Sequence, residues 1–143
     1  EIPGLEGRKM RKSYGNSIML GATAEETAKL IKKSPTDSDR NITFDPENRP
    51  QVAALLTTAG LVTGRDPAEI AEEIGNGGGG ALKAYVTESV NEFLAPHRER
   101  REELAKDMDT IRDILHDGNR RANAIANETL DQVREAMGMR YDR

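Results

Sequence analysis

The chain has 143 residues, inside the roughly 100–200 expected of one domain, with 36% hydrophobic, 32% charged and only 3% aromatic side chains. Few aromatics beside abundant Ala, Glu, Leu, Lys and Arg favour helices over a sandwich or barrel. The lack of cysteine excludes disulfides, thiolate metal sites and a cysteine nucleophile, and a net charge of −4 speaks against wholesale electrostatic binding to nucleic acid or anionic membrane.

Glu1-Ile2-Pro3-Gly4 lacks an initiator Met and reads as the interior of a longer protein. From Glu1 to about Gly21 there is no helical period, which predicts a mobile, weakly ordered loop over residues 1–22. Thr23-Ala24-Glu25-Glu26 is a capping box opening a first helix that stops before Pro35. Ser34 to Arg49 is polar loop, with Asn41-Ile42-Thr43-Phe44 as an extended arm. Pro50 suits the first turn of a second helix that buries Val52, Leu55, Leu56, Ala59 and Val62 and ends at Gly64. Asp66-Pro67 opens a short third helix ending at Gly75, and Gly77–Gly80 reads as a linker. The longest pattern carries Leu82, Val86, Val90 and Phe93, with Pro96 expected to kink or reset it. Asp107 caps the next helix, and a last amphipathic helix starts near Gly118 and ends at Gly138. The elements together predict an all-α helical bundle over residues 23–143. The apolar run Val52–Val62 falls well short of the roughly 20 residues that span a bilayer, and no signal peptide is evident, so a soluble, cytoplasmic protein is expected.

The segment Gly7-Arg8-Lys9-Met10-Arg11-Lys12-Ser13-Tyr14-Gly15-Asn16 sets four cations in five positions between glycines. Lys ammonium groups are compact charges on flexible stems, Ser13 and neighbouring N–H groups can donate, and glycines let the loop swing. Such a segment suits an anion clamp that meets charge developing on a leaving group. From charge alone a solvated basic loop is the commoner explanation.

The order of residues changes that weighting. Lys9-Met10-Arg11-Lys12-Ser13 resembles the KMSKS signature of class I aminoacyl-tRNA synthetases, and its flanks, Gly4–Arg8 and Tyr14-Gly15-Asn16, are similar to those of the tryptophanyl-tRNA synthetase family. The similarity continues through Ile31-Lys32-Lys33, Thr36-Asp37, Ile42–Glu47, Leu55-Leu56, Lys83 with Val86, Pro96 and Val133–Gly138. One position departs, with Arg11 standing where the family has serine.

The resemblance implies a carboxy-terminal part of such an enzyme, beginning just before the signature loop. It implies activation of tryptophan with ATP and Mg²⁺ and then charging of tRNA(Trp). Lys9 and Lys12 would be catalytic and hold the ATP phosphates, with Met10 and Ser13 completing the nucleotide contact. Residues 1–22 would be the loop left from a catalytic domain and residues 23–143 a tRNA-recognising helical domain. The family is dimeric, so the whole enzyme is expected to be a homodimer. No HIGH-like motif, nucleotide-binding sheet or tryptophan pocket is legible in the chain, so these 143 residues alone are expected to be inactive and to hold no cofactor. Rival expectations are a tyrosyl-tRNA synthetase fragment and a non-enzymatic helical adaptor.

Arg98, Arg100 and Arg101, with Arg120 and Arg121, are the other basic concentrations and could form a rim for tRNA, although intrahelical ion pairs explain them slightly better. His97 reads as part of a solvated face, and His116 as a helix-end histidine. Tyr14 and Tyr141 could stack on bases.

Overall fold

The computed structural model describes residues 2–139. The helices are α1 (Ala24–Lys33), α2 (Pro50–Thr63), α3 (Pro67–Ile74), α4 (Gly78–Lys106) and α5 (Met108–Ala136), with 3-10 turns at Lys12–Tyr14 and Gly75–Gly77. Among the described residues, β-structure is limited to one isolated antiparallel bridge between Pro3 and Lys9. The fold is all-α. Two compact units divide between Glu99 and Arg100.

In the first unit, Ile31 of α1, Val52, Leu55, Leu56 and Ala59 of α2, Ile70 and Ala71 of α3, and Leu82, Val86, Val90 and Leu94 of α4 form one core. α2 is its centre. Ala53, Ala54 and Gly60 are buried too, so this helix is apolar nearly all round, as a helix enclosed by others must be. Helix ends follow the sequence closely. Thr23 and Glu26 make a reciprocal capping box, Asp66 accepts from the Ala68 N–H, and Gly64 closes α2 at φ 71°. The segment before Thr23 joins the same core through Leu5, with Asn16 and Ala22 also buried, while Arg8–Gly15 is exposed but for its backbone anchors.

The polar stretch between α1 and α2 has its own organiser. Arg49 donates from Nε and Nη2 to the two carboxylate oxygens of Asp37 at 2.7 Å each, and from Nη1 to the Asn41 carbonyl at 2.6 Å and Thr43 Oγ1 at 2.9 Å. This fork holds the loop so that Ile42, the middle of the expected arm, enters the core. The Arg49 guanidinium beside it holds the Asp37 carboxyl below the usual carboxylate range. Because the folded carboxyl titrates lower than the unfolded one, near 3.9, its contribution is complete above that value and is lost as pH falls through the folded value. Asp37→Asn is therefore expected to cost stability at pH 7 and to narrow the loss of melting temperature between pH 5 and pH 2.5; thermal melts of the two proteins across that range measure it.

Three expectations are corrected. Gly77–Gly80 is not a linker but lies where the 3-10 turn passes into α4. Gly78 is at φ 74°, and a Cβ on Gly79 would sit 2.7 Å from Thr36 Oγ1, so these glycines allow close approach of the preceding loop. Pro96 does not reset the helix, which runs through it. A mid-helix proline costs about 3 kcal/mol, offset here by the Leu82–Val86–Val90–Leu94 stripe before it and by Arg98 after it. Arg98 donates from Nε to the Ala22 carbonyl at 2.9 Å, from Nη1 to Asn91 Oδ1 at 3.0 Å and from Nη2 to Thr27 Oγ1 at 2.9 Å. Gly118 likewise starts no new helix.

In the second unit, α5 is continuous over 29 residues, capped by Asp107, which accepts from the Thr110 N–H at 3.0 Å. Mid-helix Gly118 costs about 1 kcal/mol relative to alanine. Ion pairs one turn apart flank it, with Arg120 and Arg121 both 3.0 Å from Asp117. His116 consequently lies inside a helix, not at its end.

Candidate functional site

The basic loop is built from two short turns joined at Met10. In the first, the Gly4 N–H donates to the Arg8 carbonyl at 2.7 Å, the Gly7 N–H donates to the Gly4 carbonyl at 2.9 Å, and Pro3 bridges Lys9. Gly7 has φ 84°, and a Cβ there would fall 2.8 Å from the Pro50 backbone, so only glycine lets this turn rest on the start of α2. In the second, residues Lys12–Tyr14 form a 3-10 turn closed by Gly15 at φ 63°.

Lys9, Met10, Lys12 and Ser13 are therefore brought onto one exposed stretch on the surface of the first unit. The arginines of the loop have partners of their own. Arg8 pairs with Glu6 at 2.8 Å and lies 5.4 Å from the Tyr14 ring centre. The Arg11 guanidinium lies 5.5 Å from the same ring. A cation against an aromatic face gains electrostatic attraction, so Tyr14 gives the unusual arginine a place to rest. An apolar cavity of about 160 Å³ is lined by Met10 with Leu5, Ile18, Leu61, Val90 and Leu94.

Asn16 joins the two turns. Its Oδ1 accepts from the Arg11 N–H at 2.9 Å, and its Nδ2 donates to the Lys9 carbonyl at 3.1 Å and to Glu6 Oε1 at 3.3 Å. Its own carbonyl accepts from the Leu5 N–H at 3.0 Å. The sequence shows Asn16 only as the last residue of the signature's flank; its burial inside a run of charged and small residues is the feature that sequence reading misses.

Most of the arginines read as a possible rim have partners within the chain. Arg98 faces inward as described, Arg100 pairs with Glu103 at 3.0 Å, and Arg120 and Arg121 share Asp117. Tyr141 lies outside the described residues. His97 and His116 are exposed, and among the described residues no three His, Cys, Asp or Glu side chains are grouped to hold a metal. No described helix is long and apolar enough to cross a membrane.

A signature loop seated on an all-α unit defines a class, and the family model for tRNA synthetases class I (W and Y) matches residues 2–95. The chain belongs to that family. Within it, the similar relatives are tryptophan–tRNA ligases: that of Aquifex aeolicus is 35% identical over 97% of this chain, and that of Rhodopirellula baltica is 37% identical over 98%. The chain spans 36% and 44% of those two relatives' lengths. Among solved structures, tryptophanyl-tRNA synthetase from Campylobacter jejuni, complexed with ADP and tryptophan, superimposes with a TM-score of 0.77 at 29% identity, over 96% of this chain and 43% of that one. The Mycoplasma pneumoniae enzyme, at 23% identity and a TM-score of 0.65, shares the fold.

Proposed function

We propose that this chain is part of a tryptophan–tRNA ligase, supplying the loop that holds the ATP phosphates and helices that meet tRNA(Trp). The observation that carries this is the ordered run Lys9-Met10-Arg11-Lys12-Ser13 presented on an exposed turn, in a chain similar over nearly its whole length to tryptophan–tRNA ligases.

In amino-acid activation a carboxylate oxygen attacks the α-phosphorus of ATP, and the bond to the leaving pyrophosphate breaks. Negative charge then accumulates on the departing phosphates. Ammonium groups at Lys9 and Lys12 would neutralise that charge, and the Ser13 hydroxyl would donate to a phosphate oxygen, as preorganised donors do at any developing anion. Met10 would lie beside the nucleotide. Mg²⁺ would accompany the triphosphate as its counter-ion. The tryptophan pocket and nucleotide-binding sheet would come from the rest of a cytoplasmic, homodimeric enzyme, so the 143 residues alone would not aminoacylate tRNA.

Tryptophan-dependent exchange of pyrophosphate into ATP by the full protein tests this, with tyrosine as the competing substrate. Exchange with tryptophan and charging of tRNA(Trp) support the assignment. Exchange only with tyrosine would move the chain to the other branch of its family. No exchange with either would leave a helical adaptor.

A further inference from the structure

We propose that Asn16 is the positioning residue of the lysine loop: its buried carboxamide fixes the backbone on both sides of Met10 and thereby sets where Lys9 and Lys12 stand. This rests on the loop being a phosphate clamp.

Lysine stems are long, and ordering each one costs up to about 2 kcal/mol of rotamer entropy. A clamp built on lysines gains by starting both stems from fixed backbone points, so that only the side chains remain to be ordered when the phosphates arrive. Asn16 provides those points. Arg11, which receives one arm of the carboxamide, immediately precedes the 3-10 turn that carries Lys12; Lys9, which receives the other, is the residue held by the Pro3 bridge. An Asn side chain has an acceptor and two donors at one planar group, and all are used.

The seat is specific. Asn16 is 4% exposed, so its carboxamide relies on these partners for its hydrogen bonds. A Cβ on Gly4 would lie 2.4 Å from Asn16 Nδ2 and 2.6 Å from its Cγ, so a side chain at position 4 would push the carboxamide out. Through Glu6 the same amide touches the carboxylate that pairs with Arg8. Four residues at the neck of the loop thus serve one geometry.

The test uses Asn16→Ala and Gly4→Ala in the full protein, the second disturbing the same carboxamide without altering it. Both are expected to lower kcat for pyrophosphate exchange about 100-fold, the loss that an ångström of misplacement can bring, with KM for tryptophan unchanged. Both should also accelerate tryptic cleavage after Arg11 and Lys12 relative to sites elsewhere. With Lys12→Ala, the double variant with Asn16→Ala should lose less than the product of the single losses, because part of what Asn16 does passes through the Lys12 ammonium group. Losses that multiply within twofold, or loop cleavage unchanged in both variants, would overturn the proposal. A Lys12→Ala protein of normal rate would remove the clamp itself, and with it any role in positioning it.

Discussion

On the proposed reading as part of a tryptophan–tRNA ligase, replacing Lys12 by alanine in the full protein is expected to slow formation of tryptophanyl-adenylate by about 30- to 900-fold while leaving tryptophan affinity within about twofold. The magnitude follows from the roughly 2–4 kcal/mol lost with one preorganised donor to a developing anion, at 1.36 kcal/mol per tenfold in rate. The asymmetry follows from where the charge is. The tryptophan carboxylate is already an anion before reaction, whereas the leaving pyrophosphate gains charge only as the bond breaks. An interaction made mainly with the latter appears in the rate and hardly in substrate binding. Arg11 is not expected to substitute, because its guanidinium lies against the Tyr14 ring and its N–H is committed to Asn16. Restoring the family's residue with Arg11→Ser should therefore change the rate less than threefold. Single-turnover adenylate formation alongside equilibrium tryptophan binding separates the two quantities, and an equal loss in both would make Lys12 structural.

What could be read from the sequence was what depends on residues close together. Thr23 with Glu26, Asp66 before Pro67, Gly64 and Asp107 are capping signals whose partners lie within one turn, and each is found where local chemistry puts it. The apolar periods of α2 and α4 were legible for the same reason, except that Phe93, read as part of the α4 stripe, is 58% exposed and Leu94 stands in the core instead. Order within the signature loop was legible as a pattern of residues, which is why Lys9, Met10, Lys12 and Ser13 could be singled out before any geometry.

Most of what failed depends on contacts distant in sequence. A proline ordinarily ends a helix, but Pro96 is followed two residues later by an arginine tied to Ala22 and Thr27, and no local rule anticipates that. The same bonds make Arg98, read as one member of a possible rim or of intrahelical ion pairs, an internal strut. The glycine run looked like a spacer because the Thr36 side chain that needs the room is over forty positions earlier. Arg49 and Asp37, twelve residues apart in a stretch without periodicity, gave no sign of pairing. Asn16 belongs with these: its partners are near in sequence, yet only the folded loop shows them converging on one buried amide.

The core should respond far more strongly than the surface of the same helix. Leu56 is fully buried, in the middle of the helix that contributes Val52, Leu55 and Ala59 to the same core. Leu56→Ala removes buried methyl and methylene groups and leaves a void that close-packed neighbours fill only in part, at a cost of about 2–5 kcal/mol. For a unit of this size each kcal/mol moves the melting temperature by about 4–8 °C, so 3 kcal/mol corresponds to a drop of about 12–24 °C. Leu61, five residues on, is 57% exposed. Because both positions lie in α2 and undergo the same change, helix propensity cancels, and Leu61→Ala should fall within about 0.5 kcal/mol of the parent. Urea unfolding followed by circular dichroism checks the pair, with the midpoint shifting for Leu56→Ala and the slope unchanged, since the same surface is exposed on unfolding. Equal shifts for both variants would mean that α2 is not the centre of the core, and that the loop resting on its first turn through Gly7 and Pro50 has a weaker foundation than the packing indicates.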